Sequence, residues 1–231
     1  MLEHNGQSHF FADTSRIDEI KKMLPLGIFT GITTNPGIVA NDSPESDPIE
    51  GYKKMTAEFT GIPISIQLLD EPLNELIEQG RRFARISPDV VIKVPMFGDG
   101  RGLCAMATLI PEKIKINATA LMSAEQATVA LQFNPHYVSL FFNRMKDYGT
   151  NPLQEISNTR ELIERDGANS KIIVGSIRRP QDIREALTAG AHIVTITPKV
   201  FWSMVYHPKT EEFIQENQRS WESLVTQNGK K

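Results

Sequence analysis

The sequence predicts one (β/α)8 barrel domain over residues 1–231. Eight short runs of apolar and β-branched residues alternate with helical patterns along the whole chain, and this alternation is typical of repeated βα units. The near-continuous Val and Ile runs are typical of parallel strands that are covered on the outside. A length of about 200–250 residues suits one barrel of this kind, and no linker or composition break divides the chain.

The predicted strands cover residues 9–13, 29–34, 64–69, 89–95, 115–121, 137–144, 171–177 and 192–198. The predicted helices cover residues 15–23, 72–85, 123–133, 152–165, 180–189 and 210–225. Ser123 followed by Gln126 matches a capping box, Gly190 suits a left-handed helix end, and residues 41–48 form a polar loop. The alternative fold is a doubly wound open sheet, but FADTSR at the first strand is not the glycine-rich turn of that fold.

Composition indicates a soluble protein of a reducing compartment. The chain has a formal net charge of -3, a pI of about 6.0 and one cysteine. This residue, Cys104, lies in a further helical stretch after the fourth strand, and we expect it to pack in the core. Residues 1–9 lack the apolar centre of a signal peptide, and no apolar run approaches the roughly 18–20 residues of a membrane span. We therefore expect a cytoplasmic protein with no nucleic-acid or membrane partner.

Polar residues interrupt most of the predicted strands near their carboxyl ends, where barrel enzymes carry their chemistry. They are Asp13, Thr33, Asn35, Gln67, Lys93, Asn117, Thr119, Ser139, Ser176 and Arg178, and Phe141 shares a face with Ser139. Each alone could be a turn or cap residue. Their coincidence on so many strands predicts a site inside the barrel mouth.

Lys93 is the strongest candidate among these residues because it lies between Val91-Ile92 and Val94-Pro95, inside an apolar strand. One interpretation is a strand lysine whose ammonium reaches water. If the side chain is buried, however, its pKa falls. A neutral lysine attacks a carbonyl to form an imine, which serves as an electron sink for cleavage of a carbon–carbon bond.

The five histidines lie far apart in sequence, with no pair at helical spacing, so the sequence predicts neither a zinc nor an iron site. Arg144, Ser176 and Arg178 are instead candidates for an anion site, because two guanidinium groups and a hydroxyl can bind a phosphate. The alternative is that both arginines form surface ion pairs. GDGRG at residues 98–102 is a weaker phosphate candidate and favours a plain turn.

Seven stretches, spread in order along nearly the whole chain, resemble the small transaldolase family, which includes the fructose-6-phosphate aldolases. They are FADTS, GITTNPGIV, VIKVP, KINATALMSAEQA, YVSLFFNR, IIVGSIRRPQ and HPKTEEFIQENQRSW. The resemblance implies a homo-oligomeric barrel, often a decamer, whose C-terminal helix packs on a neighbour. We expect no cofactor and no metal.

The resemblance also assigns roles to the candidate residues. The imine lysine falls on Lys93 and the aspartate that handles the sugar C4 hydroxyl proton falls on Asp13. Thr119 positions the catalytic water. The remaining assignments concern substrate binding. The asparagine of the TTNP motif falls on Asn35, with Thr33 beside it. The residues that hold the dihydroxyacetone moiety fall on Asn117 and Ser139, and those that bind the phosphate fall on Arg144, Ser176 and Arg178.

At two positions this chain matches different subgroups of the family, the aldolases at one and the transaldolases at the other. Transaldolases typically have a glutamate on strand three, where this chain has Gln67, as the aldolases do. Aldolases typically have a tyrosine on strand six, where this chain has Phe141, as transaldolases do. We expect a transaldolase acting on a phosphorylated or sulfonated ketose, and the alternative is a lyase that releases free dihydroxyacetone.

Overall fold

The computed structural model describes residues 10–42 and 47–228, and it contains a closed barrel of eight parallel strands. Neighbouring strands in sequence are neighbours in the barrel, and β8 pairs with β1 to close it. The strands are β1 (Phe10–Asp13), β2 (Phe29–Thr33), β3 (Ile64–Gln67), β4 (Val90–Pro95), β5 (Ile116–Leu121), β6 (Tyr137–Phe141), β7 (Lys171–Gly175) and β8 (Ile193–Ile196). The predicted fold class is confirmed.

Eleven α-helices follow or connect these strands within the described residues. They are α1 (Ile17–Met23), α2 (Pro36–Asp42), α3 (Pro48–Glu58), α4 (Leu73–Ala84), α5 (Arg101–Leu109), α6 (Ala124–Leu131), α7 (Phe142–Tyr148), α8 (Pro152–Asp166), α9 (Pro180–Thr188), α10 (Pro198–Val205) and α11 (Pro208–Asn228). Apolar side chains on the outer strand face, such as Ile32, Ile92 and Val138, are buried against helices in one continuous core. This outer layer explains the near-continuous apolar runs of the strands.

All eight predicted strands are present, although residue 9 lies outside the described residues. The prediction for residues 137–144 was wrong at its end, because β6 stops at Phe141 and α7 begins at Phe142. Arg144 therefore lies on a helix. The sequence carries little warning of this, since FFNR is as compatible with a strand as with a helical turn.

The structure contains helices that the sequence did not predict, namely α2, α3, α7 and α10, and it places Cys104 within α5. The expected loop at residues 41–48 was wrong at both ends, because α2 extends to Asp42 and α3 begins at Pro48; residues 43–46 lie outside the described residues. Asp47 caps α3 by accepting a hydrogen bond from the Ile49 amide. Cys104 is exposed rather than packed in the core, because it lies on the outward face of the helix.

Of the two predicted helix signals, the left-handed end at Gly190 is confirmed, and the capping box at Ser123 is confirmed only in its first half. Ser123 accepts a hydrogen bond from the Gln126 amide at the start of α6, but the Gln126 side chain accepts from Met122 and not from Ser123. Gly190 ends the segment after α9 with a φ of 107°, which a residue with a Cβ rarely adopts.

Apolar residues fill the amino-terminal half of the barrel interior. Phe11, Ile173 and Ile193 are buried there, and Tyr137 packs edge-on against Phe11 with ring centroids 5.9 Å apart. Gly31 leaves space for this apolar cluster, since a Cβ at that position would lie 2.5 Å from the Phe11 ring. The polar residues lie nearer the carboxyl ends of the strands, and Ile173 of the apolar cluster borders the cavity they line.

The C-terminal helix α11 differs from the others because it adds nothing to the core. Every residue from 202 to 226 is exposed, including Phe213, Trp221 and Leu224. None of the helices in the described part of the chain is both long and apolar enough to cross a membrane.

Candidate active site

A cavity of about 170 Å³ opens at the carboxyl ends of the barrel strands. Its lining consists of Asp13, Thr33, Asn35, Ile38, Lys93, Ser139, Phe141, Arg144, Ile173, Gly175, Ser176 and Thr195. Most of these side chains are residues that the sequence singled out, and they come from β1, β2, β4, β6 and β7 or from the segments that follow these strands. A barrel brings them together because parallel strands end on one side.

Lys93 lies near the centre of β4 and points into this cavity. Only 4% of its surface is exposed, and its Nζ donates a hydrogen bond to the Thr34 carbonyl oxygen at 2.7 Å. Burial lowers the pKa of Lys93 from 10.5 to about 8, while the nearby charge of Asp13 opposes that change. A pKa near 8 leaves roughly a tenth of the amine neutral at pH 7, which is the form that attacks a carbonyl.

Asp13 lies at the end of β1 and interacts electrostatically with Lys93. Burial raises the pKa of the Asp13 carboxyl, and the charge of Lys93 and a hydrogen bond from Thr33 act in the opposite direction. The Thr33 hydroxyl donates to Asp13 Oδ1 at 2.6 Å. The raised pKa makes this carboxylate a better proton acceptor than an exposed aspartate.

Asn117 and Ser139 form a polar pair on β5 and β6. Ser139 Oγ donates to Asn117 Oδ1 at 2.7 Å, and Asn117 is fully buried. This bond fixes the amide so that Nδ2 is the atom left to donate. Asn117 Nδ2 and Thr119 Oγ1 have no hydrogen-bond partner among the described residues, and buried polar atoms of this kind point to a polar ligand or water.

Asp182 organises the loop that follows β7. It is fully buried, and its Oδ2 accepts hydrogen bonds from the Asn143 side chain and the amides of Arg178 and Arg179. Ser176 lies in this loop with a φ of 59°, a conformation that is unfavourable for a residue with a Cβ. Asn143 also donates to the Ser176 carbonyl oxygen at 2.8 Å, and these contacts fix the backbone from which Ser176 lines the cavity.

The two arginines of the predicted anion site differ in placement. Arg144 is exposed on α7 and lines the cavity. Arg178 is not among the lining residues; its guanidinium forms a two-bond ion pair with Asp147, with Nη1 at 2.8 Å from Oδ1. The strand alternation that aligned Ser176 with Arg178 ends at Gly175, because Ser176 leaves the extended conformation.

Three other predicted residues lie beside the cavity rather than in its lining. Gln67 is half-buried and is the register neighbour of Lys93 on β3, while Asn117 is its neighbour on β5. Thr119 lies two residues further along β5 and is fully buried. A larger cleft of about 590 Å³ lies between α1, α2 and α3, but it lacks the buried lysine–carboxylate pair on which our assignment of the site rests.

One known protein family matches nearly the whole chain. The profile of the family described as Transaldolase/Fructose-6-phosphate aldolase matches residues 10–230. The chain belongs to the transaldolase/fructose-6-phosphate aldolase family. It is therefore an enzyme of the transaldolase/aldolase class, as the sequence resemblance predicted.

Curated relatives in this family match almost end to end. "Probable transaldolase 1" of Listeria monocytogenes serotype 4b (strain F2365) is 37% identical over 93% of this chain and 98% of the relative. "Probable transaldolase" of Symbiobacterium thermophilum is 33% identical over 92% and 96%, respectively. "Probable transaldolase 2" of Listeria innocua serovar 6a is 34% identical over 95% and 99%.

Three polar residues of the site were not predicted from the sequence. Thr195 on β8 lines the cavity and contacts the hydroxyl of Thr33. Asn143 and Asp182 support the β7 loop from below. Thr195 carried a usable signal, because its hydroxyl interrupts the apolar run IVTI. Asn143 has the same parity as Ser139 and Phe141 in the predicted strand 137–144, which was also a usable signal. Asp182 lies in a predicted helix, where polar residues are common.

Proposed function

We propose that the protein transfers a dihydroxyacetone unit from an anionic ketose to an aldehyde acceptor through an imine on Lys93. The observation that carries the proposal is the buried Lys93 amine, which shares one cavity with the Asp13 carboxylate. Burial favours the neutral amine, and Asp13 supplies a base beside it. Family membership supports the same reaction class.

In this proposal Nζ of Lys93 attacks the C2 ketone of the donor, and loss of water gives the imine. Asp13 takes the C4 hydroxyl proton, the C3–C4 bond breaks, and its electron pair moves into an enamine while the aldehyde leaves. The enamine then attacks the acceptor aldehyde. Asp13 returns its proton to the new C4 oxygen, and water hydrolyses the imine.

The remaining side chains bind the two ends of the sugar. We expect Asn117 Nδ2, Ser139 and Asn35 to bind the hydroxyl groups of the dihydroxyacetone unit and the Thr119 hydroxyl to bind water, and the lack of a partner for Asn117 Nδ2 and Thr119 Oγ1 supports this. Arg144 and Ser176 at the mouth suit a terminal phosphate or sulfonate, because both anions present three oxygens. Arg178 joins them when it exchanges Asp147 for the substrate.

The imine is tested by borohydride trapping with fructose 6-phosphate, followed by mass spectrometry. Wild type and Lys171→Ala, which removes an exposed lysine at the start of β7, should gain one dihydroxyacetone-sized adduct on Lys93. Lys93→Ala should gain none while retaining its circular dichroism spectrum. An adduct on another lysine would overturn the proposal.

A lyase of the fructose-6-phosphate aldolase type is the second candidate, and Gln67 is the observation that favours it. Product analysis with and without erythrose 4-phosphate separates the two reactions. Turnover that needs the acceptor identifies a transferase, and free dihydroxyacetone without it identifies a lyase. A parallel arm with 6-deoxy-6-sulfofructose as donor compares kcat/KM for sulfonate and phosphate.

We also propose that the protein is a homo-oligomer, a decamer by its family resemblance, in which α11 packs on a neighbouring copy. The exposed Phe213, Trp221 and Leu224 support this, because a monomer would leave a large apolar surface in water. Light scattering after size-exclusion chromatography measures the mass. Trp221→Glu should reduce it, and a wild-type monomer would refute the proposal.

A further inference from the structure

We propose that Thr195 is a positioning residue that orients Asp13 through Thr33, so that the carboxyl keeps a hydrogen-bond partner in both of its protonation states. The inference rests on the proposed role of Asp13 as the base. Thr33 Oγ1 lies 2.6 Å from Asp13 Oδ1, and the Thr195 hydroxyl is in hydrogen-bond contact with the same Thr33 oxygen. Thr33 and Thr195 are 2% and 6% exposed, so water competes little for these hydroxyls.

Counting protons gives this chain of hydrogen bonds a direction. Each threonine hydroxyl has one proton to donate, and an ionised carboxylate can only accept. Thr33 uses its proton on Asp13, so the contact between the two threonines requires the proton of Thr195. With Asp13 ionised, the bonds therefore run from Thr195 to Thr33 to Asp13.

The direction reverses when Asp13 takes the proton of the C4 hydroxyl. When Oδ1, the oxygen that Thr33 contacts, carries this proton, the carboxylic acid donates to Thr33, and Thr33 turns its own proton to Thr195. The Thr195 hydroxyl in turn faces the Phe11 carbonyl oxygen at 3.5 Å, which is within reach because Phe11 and Thr195 are register partners. No proton travels between the residues; two hydroxyl hydrogens rotate, and the C4 proton stays on Asp13.

This arrangement suits a base that must later return its proton. Each state of Asp13 meets a complementary partner without movement of heavy atoms, and linked hydrogen bonds polarise one another. The charged groups that act on Asp13 are Lys93 from β4 and Asp42 from α2, and Arg144 lines the same cavity. Asp13 also accepts the hydrogen bond of Thr33 on β2, and Thr33 in turn contacts Thr195 on β8.

Thr195→Val removes the hydroxyl at nearly constant shape, and Thr195→Ser keeps it. Without the Thr195 donor the Asp13 carboxylate is less well stabilised, so its pKa rises. The acid limb of the kcat/KM profile for transfer should move up by roughly half to one pH unit, and kcat should fall roughly 3- to 10-fold. Thr195→Ser should restore both, and Thr33→Val/Thr195→Val should be no worse than Thr33→Val alone, because Thr195 acts through Thr33.

A pH profile unchanged in Thr195→Val, or an equal change in Thr195→Ser, would overturn the inference. If the valine variant does not fold, Thr195→Ala compared with Thr195→Ser replaces it with the same expected difference. Borohydride trapping separates this inference from the proposed function. Thr195→Val should still form the Lys93 adduct, because imine formation precedes the step at C4, whereas failure of the wild type to form it would refute the proposed function itself.

Discussion

Replacement of Lys93 by methionine should abolish activity and also change how the stability of the protein depends on pH. The side chain is almost fully buried, and burial holds its pKa at about 8, against 10.5 for the ordinary lysine of an unfolded chain. Methionine has a similar length but no titratable group. The difference in the free energy of unfolding between the wild type and Lys93→Met therefore isolates the titration of Lys93.

The sign and size of the effect follow from proton linkage. Between about pH 8 and pH 10.5 the unfolded chain binds more protons at Lys93 than the folded one, so wild-type stability rises with pH relative to the variant. Below about pH 7 both states carry the proton and the difference is constant. With these pKa values the free energy of unfolding of wild type should gain about 2 kcal/mol on Lys93→Met between pH 7 and pH 9.5.

Urea unfolding curves at several values across this range measure the gain. Lys171→Met is the matched control, because Lys171 is exposed at the start of β7, and its difference from wild type should stay constant. A constant difference for Lys93→Met as well would show that Lys93 does not titrate in this range. The explanation of its reactivity by burial would then be wrong.

Three further outcomes are expected. Arg144→Gln should raise KM for phosphorylated or sulfonated ketoses by roughly tenfold or more and change it little for uncharged ones. Arg178→Gln should raise KM less, because Arg178 must first leave Asp147. Equal increases in KM for the two variants would contradict this order. Phe141→Tyr should raise the ratio of free dihydroxyacetone to transfer product by about tenfold or more, since the tyrosine hydroxyl can pass a proton to the enamine. An unchanged ratio would show that the residue at this position of β6 does not decide between lyase and transferase activity. Ser176→Gly should raise the free energy of unfolding by about 1 kcal/mol, because glycine adopts the positive φ of this position without strain. The same variant should bind the anionic ketose more weakly. A lower free energy of unfolding would show that the serine side chain stabilises the loop after β7.

The sequence predicted the barrel because its eight apolar runs and their spacing are local properties of the chain. It failed where short segments carry mixed signals. β6 runs directly into α7 without a turn residue, and α2 and α3 flank a polar stretch that favours a loop. Cys104 falls on a helix whose orientation the sequence does not reveal.

For the site, the sequence determined which chemistry is available. A lysine inside an apolar strand and polar residues at strand ends are enough to single out Lys93 and Asp13. Strand alternation predicts which side chains point inward, and most of those selected line one cavity. The alternation is a property of extended backbone, so it holds as long as the strand does.

The tertiary structure decided the features of the site that the alternation of side chains along a strand does not predict. Ser176 leaves the extended conformation, and Arg178 therefore meets Asp147, a residue 31 positions away, instead of following Ser176 into the cavity. The pairing of β8 with β1 and of β1 with β2 brings Thr195 to Thr33 although 162 residues separate them in sequence. The pKa of Lys93 likewise depends on burial by the whole barrel and on the charge of Asp13 from another strand. Sequence sets the identity of each group, but contacts between distant strands, and the water they exclude, exist only once the barrel closes.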